Sequence, residues 1–154
     1  MSTVIISDTS VLIALYDIGE MELLPKIFNE IWVTPEVEQE FNPTLSAWIL
    51  VKRVQDQALK AEFENVVDPG EASAIALAVE TPGSRLLLDD KKGRKLAAQR
   101  NLPFIGTLGL LLEAKEKGVI LEIRSYLEKL EAADFWISEE VKKEVIKKAG
   151  ENWG

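Results

Sequence analysis

IISDTSVLIALYD, Ile5 to Asp17, decides how the rest of the chain is read. It begins as a short apolar run, the mark of a buried strand. The run ends in Asp8, and Thr9 and Ser10 follow before apolar residues resume at helical spacing up to Tyr16. A strand that passes to a helix through a carboxylate and two hydroxyls has two explanations. Asp8 caps the helix, its side-chain oxygen accepting an orphan N–H of the first turn. Alternatively, Asp8 reaches outward toward a metal ion. Both give strand then helix, and that unit recurs along the chain.

After Gly19, MELLPKIF suggests a helix whose regularity Pro25 limits. EIWV (Glu30 to Val33) is the next strand, and Thr34 and Pro35 then supply an N-cap and a first helical residue for TPEVEQEF. SAWILVKRV, 46–54, is read as strand and QDQALKAEFENV, 55–66, as an amphipathic helix. DPGEASAIALAVE opens with Asp68 at N-cap, Pro69 at N1 and Glu71 at N3, and its alanine-rich body predicts a buried helix. SRLLL is a strand ending in Asp89 and Asp90, and KKGRKLAAQR continues as helix despite Gly93. LPFIG is the last strand, followed by TLGLLLEAKEKG, a helix stopped by Gly118. Two more helices are expected over 119–131 and 138–149, with DFWI between them. Strands alternating with helices imply an α/β fold, a three-layer α/β/α sandwich around a central, mostly parallel sheet. Residues 1–150 read as one domain and 151–154 as a tail.

Composition narrows the chemistry. The 154 residues are 47% hydrophobic, enough for a full core. The chain has neither cysteine nor histidine. Disulfides, Ser-His-Asp triads, Cys-His pairs and Cys/His zinc sites are therefore excluded. Carboxylates and lysines remain, and carboxylates suit hard cations such as Mg2+ and Mn2+. A net charge of −8 argues against a nonspecific nucleic-acid coat but leaves room for a local site where a cation reverses the field. No apolar run is long enough to span a bilayer, and the start lacks the pattern of a signal peptide. The expectation is an intracellular, cytoplasmic protein with no membrane partner.

In open parallel sheets, sites form beyond the carboxyl ends of the strands. Asp8 ends the first strand, and Asp89 and Asp90 end SRLLL, so these acids share an edge. Glu71 opens a helix whose N-terminus gathers at the same edge, and Glu40 lies on the helix after the second strand. Each has a plainer reading: Asp8, Glu71 and one of Asp89 and Asp90 serve as helix caps, Glu40 is solvated, and KKGRK is a solvated face. Together, however, unpaired acids would repel one another, and a divalent cation relieves the repulsion. Such a cage activates water and clamps a phosphodiester oxygen without any histidine. Lys91, Lys92, Arg94 and Lys95 stand where they can meet backbone phosphates.

Five segments, VIISDTSVLIAL, VTPEVEQEF, DPGEASAIALA, LLLDDKKGRKLA and GTLGLLLEAKEKGVI, resemble the PIN-domain family in the family's order. More narrowly they resemble the subgroup related to VapC toxins of toxin–antitoxin pairs, and DFWISEEVKKEVIKKAG resembles that subgroup's C-terminal end. The resemblance implies a metal-dependent endoribonuclease using Mg2+ or Mn2+, with RNA as substrate, a small antitoxin as partner, and a homodimer. It places the catalytic acids at Asp8, Glu40, Glu71 and the pair Asp89–Asp90, with Asp8, Glu71, Asp89 and Asp90 on the metal. It puts the supporting hydroxyl on Thr9 or Ser10, and these two join the four basic residues on the substrate side. Apolar helical stretches such as LGLLL, 108–112, offer faces for a dimer.

Three other readings compete. A phosphatase of the haloacid-dehalogenase type also starts with a strand-end Asp, but it needs a second Asp where Ser10 stands. A receiver domain carries its acid pair on the first strand, whereas this pair comes late. A non-catalytic PIN-like scaffold would bind a partner without chemistry. A small antitoxin gene beside its own would separate a toxin from a housekeeping nuclease.

Overall fold

The computed structural model describes residues 4–152. The first strand is expected over 3–7, and its Thr3, like Trp153 and Gly154 of the expected tail, lies outside them. Val4–Ser7 forms β1 and Thr9–Asp17 forms α1, so the opening stretch is a strand passed directly to a helix. The remaining elements are α2 (Leu23–Ile27), β2 (Glu30–Val33), α3 (Pro35–Phe41), β3 (Ile49–Val51), α4 (Gln57–Phe63), α5 (Pro69–Val79), β4 (Arg85–Leu87), α6 (Lys91–Gln99), β5 (Phe104–Ile105), α7 (Thr107–Glu116), α8 (Arg124–Ala132) and α9 (Glu139–Lys148).

All strand pairs among the described residues are parallel, in the order β3-β2-β1-β4-β5. Ile5 stands opposite Ile31 on β2 and Arg85 on β4, and Leu87 stands opposite Ile105 on β5. Successive side chains on a strand point to opposite faces. Ile5 and Leu87 therefore join a core with α1, α2, α7, α8 and α9, while Ile6, Leu86 and Leu88 join a second core with α4, α5 and α6. Burial on both faces explains the continuous apolar strands and gives the three-layer α/β/α sandwich. The chain builds outward from β1 through β2 to β3, then returns to place β4 on β1's other side. The gap beyond the carboxyl ends of β1 and β4 is thus the topological switch point of the sheet, where ligands bind in such folds.

Three local expectations are refined. MELLPKIF supplies just over one helical turn, Leu23–Ile27. The helix expected over 119–131 starts only at Arg124, because the Val119 and Ile120 N–H groups turn back to Ala114 O after Gly118, and the Glu122 carboxylate accepts the Ser125 N–H (3.0 Å). Within LGLLL, Leu110 and Leu111 are fully buried, so this stretch faces the core. Among the described residues, no helix is long and apolar enough to cross a membrane.

Candidate active site

Four helices begin around the switch point, and an acid meets the first turn of each. Asp8 is the N-cap of α1, its Oδ1 accepting the Val11 N–H at 3.0 Å. Asp68 is the N-cap of α5, its Oδ1 accepting the Glu71 N–H at 2.9 Å. Asp90 is the N-cap of α6, its Oδ2 accepting the Gly93 N–H at 3.0 Å. The N-cap of α7 is Gly106, which has no side chain. Asp89 takes over from β4: its Oδ1 accepts the Thr107 N–H at 2.8 Å, and its Oδ2 accepts the Thr107 hydroxyl at 2.6 Å. Capping and a second role are therefore compatible, because a cap uses one carboxylate oxygen. Asp8, Asp68 and Asp90 keep the other; Asp89 keeps neither.

Two of the acids are buried: Asp8 is 1% exposed and Glu71 8%. Asp8 Oδ2 and Glu71 Oε2 are fully enclosed and accept no hydrogen bond. An orphaned carboxylate oxygen inside a protein is expensive when charged. Burial pushes the Asp8 carboxyl up to about 7, helped by the negative charges of Asp89, Asp68 and Asp90 and opposed by the Val11 N–H. Burial likewise pushes Glu71 up to about 9, with Asp68 and then Asp90 beside it favouring the protonated form. Asp68 and Asp90 therefore link Asp8 to Glu71 electrostatically.

Glu40 joins from α3. Its Oε1 accepts the Thr9 hydroxyl at 2.6 Å and its Oε2 accepts the Gly70 N–H at 3.1 Å. It ties the residue after Asp8 to the residue before Glu71. A Cβ on Gly70 would fall onto the Glu40 carboxylate, so only glycine allows this approach. Gly93 has a similar reason to interrupt α6: a Cβ there would lie 2.7 Å from Glu71 Oε2.

The basic residues divide. Arg94 turns inward: its Nε donates to Leu88 O at 2.8 Å, its Nη2 stands 3.7 Å from Asp89 Oδ1, and its guanidinium lies over the Phe104 ring. Lys91, Lys92 and Lys95 are exposed. Ser10 is exposed on α1, and Thr9 is engaged with Glu40. Sequence reasoning overlooked Asp68 as a site acid, having assigned it wholly to the cap, although its three-residue spacing from Glu71 across a helix start puts both on one turn. It also overlooked Thr107, whose signal was the GT following the last strand.

Among the described residues, no three acids stand close enough to enclose an ion as they are. The donor set nonetheless suits a hard divalent cation. It is all carboxylate, two of its oxygens lack any partner, and both buried members bind a proton well above the ordinary carboxylate range, a proton that a cation can replace. Asp89 is the exception, with its oxygens occupied by Thr107. Asp89→Ala should therefore destabilise the protein by about 2 kcal/mol, the usual cost of losing a cap and stranding its donors. Urea unfolding of this variant beside Asp90→Ala, which loses only one cap bond, checks the difference.

Carboxylates gathered at the switch point of a doubly wound sheet define the class: an α/β/α domain with an acidic edge. The PIN-domain family model matches residues 4–151, and the chain belongs to that family. PIN domains are typically nucleases that use divalent metals. No curated protein and no solved structure matches the chain significantly.

Proposed function

We propose that this chain is an endoribonuclease that cleaves RNA phosphodiester bonds with Mg2+ or Mn2+ held at the acid edge. The carrying observation is the pair of buried carboxylates with orphaned oxygens, Asp8 Oδ2 and Glu71 Oε2, at the switch point. Asp8, Glu71 and Asp90 are assigned to the ion, with Asp68 beside them. Asp90 is preferred to Asp89 because Thr107 occupies both Asp89 oxygens, whereas the Asp90 cap uses one oxygen and its carboxylate acts on both Asp8 and Glu71. Such an ion supplies positive charge to the scissile phosphate and lowers the pKa of an attacking water. Asp89 acts as a strut between β4 and α7, with Arg94 behind it. Glu40 positions Thr9 and the start of α5. Lys91, Lys92 and Lys95 at the exposed start of α6 are available for backbone phosphates.

Purified protein should cut single-stranded RNA in Mn2+ or Mg2+ and stop in EDTA. Cleavage that persists in EDTA after contaminating nuclease is removed would overturn the metal reading. No cleavage with either ion would favour the scaffold.

The ordered motifs and the DFWISEEVKKEVIKKAG segment support a narrower reading, a cytoplasmic toxin paired with a small antitoxin. Exposed apolar side chains, among them Tyr16 on α1 and Val66 and Leu121 in connecting segments, support a homodimer. Light scattering at micromolar concentration should then report about twice 17.2 kDa; a clean monomer refutes it.

A further inference from the structure

A cavity of about 230 Å3 opens beside the acid edge, between α1 and the turn that joins α8 to α9. Asp89 and Ser10 form the wall it shares with the site. Ile13, Ala14, Leu130 and Phe135 make it apolar, and Asp17 and Asp134 add carboxylates. It is smaller than the roughly 300–1,000 Å3 of drug-sized pockets and suits a single planar ring system.

Its walls are built rather than incidental. Ser10, Ile13, Ala14 and Asp17 repeat at the spacing of one helix face. Phe135 packs on the core beneath it, which holds the ring in place. Asp134 adopts φ +66°, a conformation that favours glycine. Its N–H returns to Glu131 O at 3.1 Å and the Phe135 N–H to Leu130 O at 2.9 Å, the closing pattern of a helix whose C′ residue is usually glycine. A carboxylate therefore occupies a backbone position where glycine would sit with less strain. Trp136, the next residue, is 84% exposed.

The lining decides the occupant. Carboxylates repel a phosphate, so the sugar–phosphate backbone does not enter. They accept N–H donors, and an apolar wall with a fixed aromatic ring receives a flat, unstacked base. Resting on the ribonuclease reading above, we propose that this cavity holds a nucleobase of single-stranded RNA next to the scissile phosphate and selects bases rich in N–H donors. Guanine fits best, because its adjacent ring N–H and amino group can meet one carboxylate as a pair. Uracil fits worst, since its one donor lies between two carbonyl oxygens. Adenine and cytosine, each with one amino group, fall between.

The experiment is an NMR titration of the intact protein in EDTA with guanosine, adenosine, cytidine and uridine, for wild type, Phe135→Leu, Phe135→Ala and Asp134→Asn. Nucleosides carry no phosphate, so neither the ion nor cleavage enters the measurement. Guanosine should shift residues of α1 and of 133–136, and bind about tenfold more tightly than uridine. Phe135→Ala should weaken every base by about tenfold through lost stacking, and Phe135→Leu by less. Asp134→Asn, which tolerates the left-handed backbone, should reduce the preference for guanosine. Cleavage of oligonucleotides varied at the position flanking the cut should show the same ranking and lose it in Asp134→Asn. Guanosine binding by a protein that cuts no RNA would support the pocket and sink the nuclease reading. Cleavage blind to the flanking base, with no nucleoside shifts at the cavity, would sink the pocket alone. A dimer that Phe135→Ala splits, again without nucleoside shifts, would assign the cavity to a second copy and overturn the proposal.

Discussion

Asp8→Asn should reduce RNA cleavage in Mn2+ by at least about a hundredfold while leaving the melting temperature in EDTA unchanged or higher. The two effects separate because Asp8 does two things with two oxygens. Oδ1 accepts the Val11 N–H at the start of α1, and an Asn carbonyl can do the same. Oδ2 is enclosed and has no partner. The amide that replaces it sits in the negative field of Asp89, Asp68 and Asp90, which favours an N–H there over a second carboxylate oxygen. One buried negative charge also leaves an edge where acids repel one another. The metal-free protein therefore loses nothing structural. What it loses is a charged ligand, and the ion supplies both the activated water and the charge clamp. If Asp8 were only a cap, neither quantity would move. Near-wild-type cleavage in Asp8→Asn would return the residue to that role and leave the acid edge without its central member.

The outline of this site was legible in the sequence because each acid is announced by its local pattern. Asp8 follows an apolar run, and Glu71 sits three residues after Asp68, which Pro69 follows. What the sequence did not disclose depends on contacts between distant segments. Whether Asp89 or Asp90 is free is decided by Thr107, which lies 18 residues beyond Asp89 and meets it only because β5 pairs with β4. Arg94 reads as a phosphate ligand within KKGRK. In the fold, Leu88 O, Asp89 and Phe104 hold it, and none of them is its helical neighbour. The alternation of strands and helices implied a parallel sheet, but the order that puts β4 against β1, and so creates the switch point, is a tertiary fact. Gly93 looked like a flaw in a helix until the Glu71 oxygen appeared against it.

In EDTA the protein should lose stability as pH rises from about 5 to 9, and Mg2+ should cancel most of that loss. Asp8 is raised from its ordinary 3.8 to about 7 and Glu71 from 4.5 to about 9. Both hold their protons to higher pH in the folded state than in the unfolded chain. Between about pH 4 and 7 for Asp8, and up to about 9 for Glu71, the folded state binds more protons, so stability falls as pH rises. Below pH 4 both carboxyls are protonated in either state, and above pH 9 both are ionised in either state, so the slope belongs to the window between. Each pKa unit corresponds to about 1.36 kcal/mol. Both shifts act in the same direction and each spans several pH units, so the fall in melting temperature across the window should exceed that of losing any single cap or hydrogen bond. A cation that replaces the two protons binds more tightly as pH rises and stabilises the folded state in proportion. The curve in Mg2+ should therefore lie above that in EDTA by a margin that widens toward pH 9. Two variants divide the window. Asp8→Asn should reduce the slope of the EDTA curve below pH 7 and leave it unchanged above, whereas Glu71→Gln should remove the slope between 7 and 9 and reduce it below, while the α5 cap holds because Asp68 Oδ1 accepts the backbone N–H of residue 71. A melting temperature in EDTA that is flat or rises with pH would mean that both carboxylates carry their charge unaided. The orphaned oxygens would then give no reason to expect an ion between them.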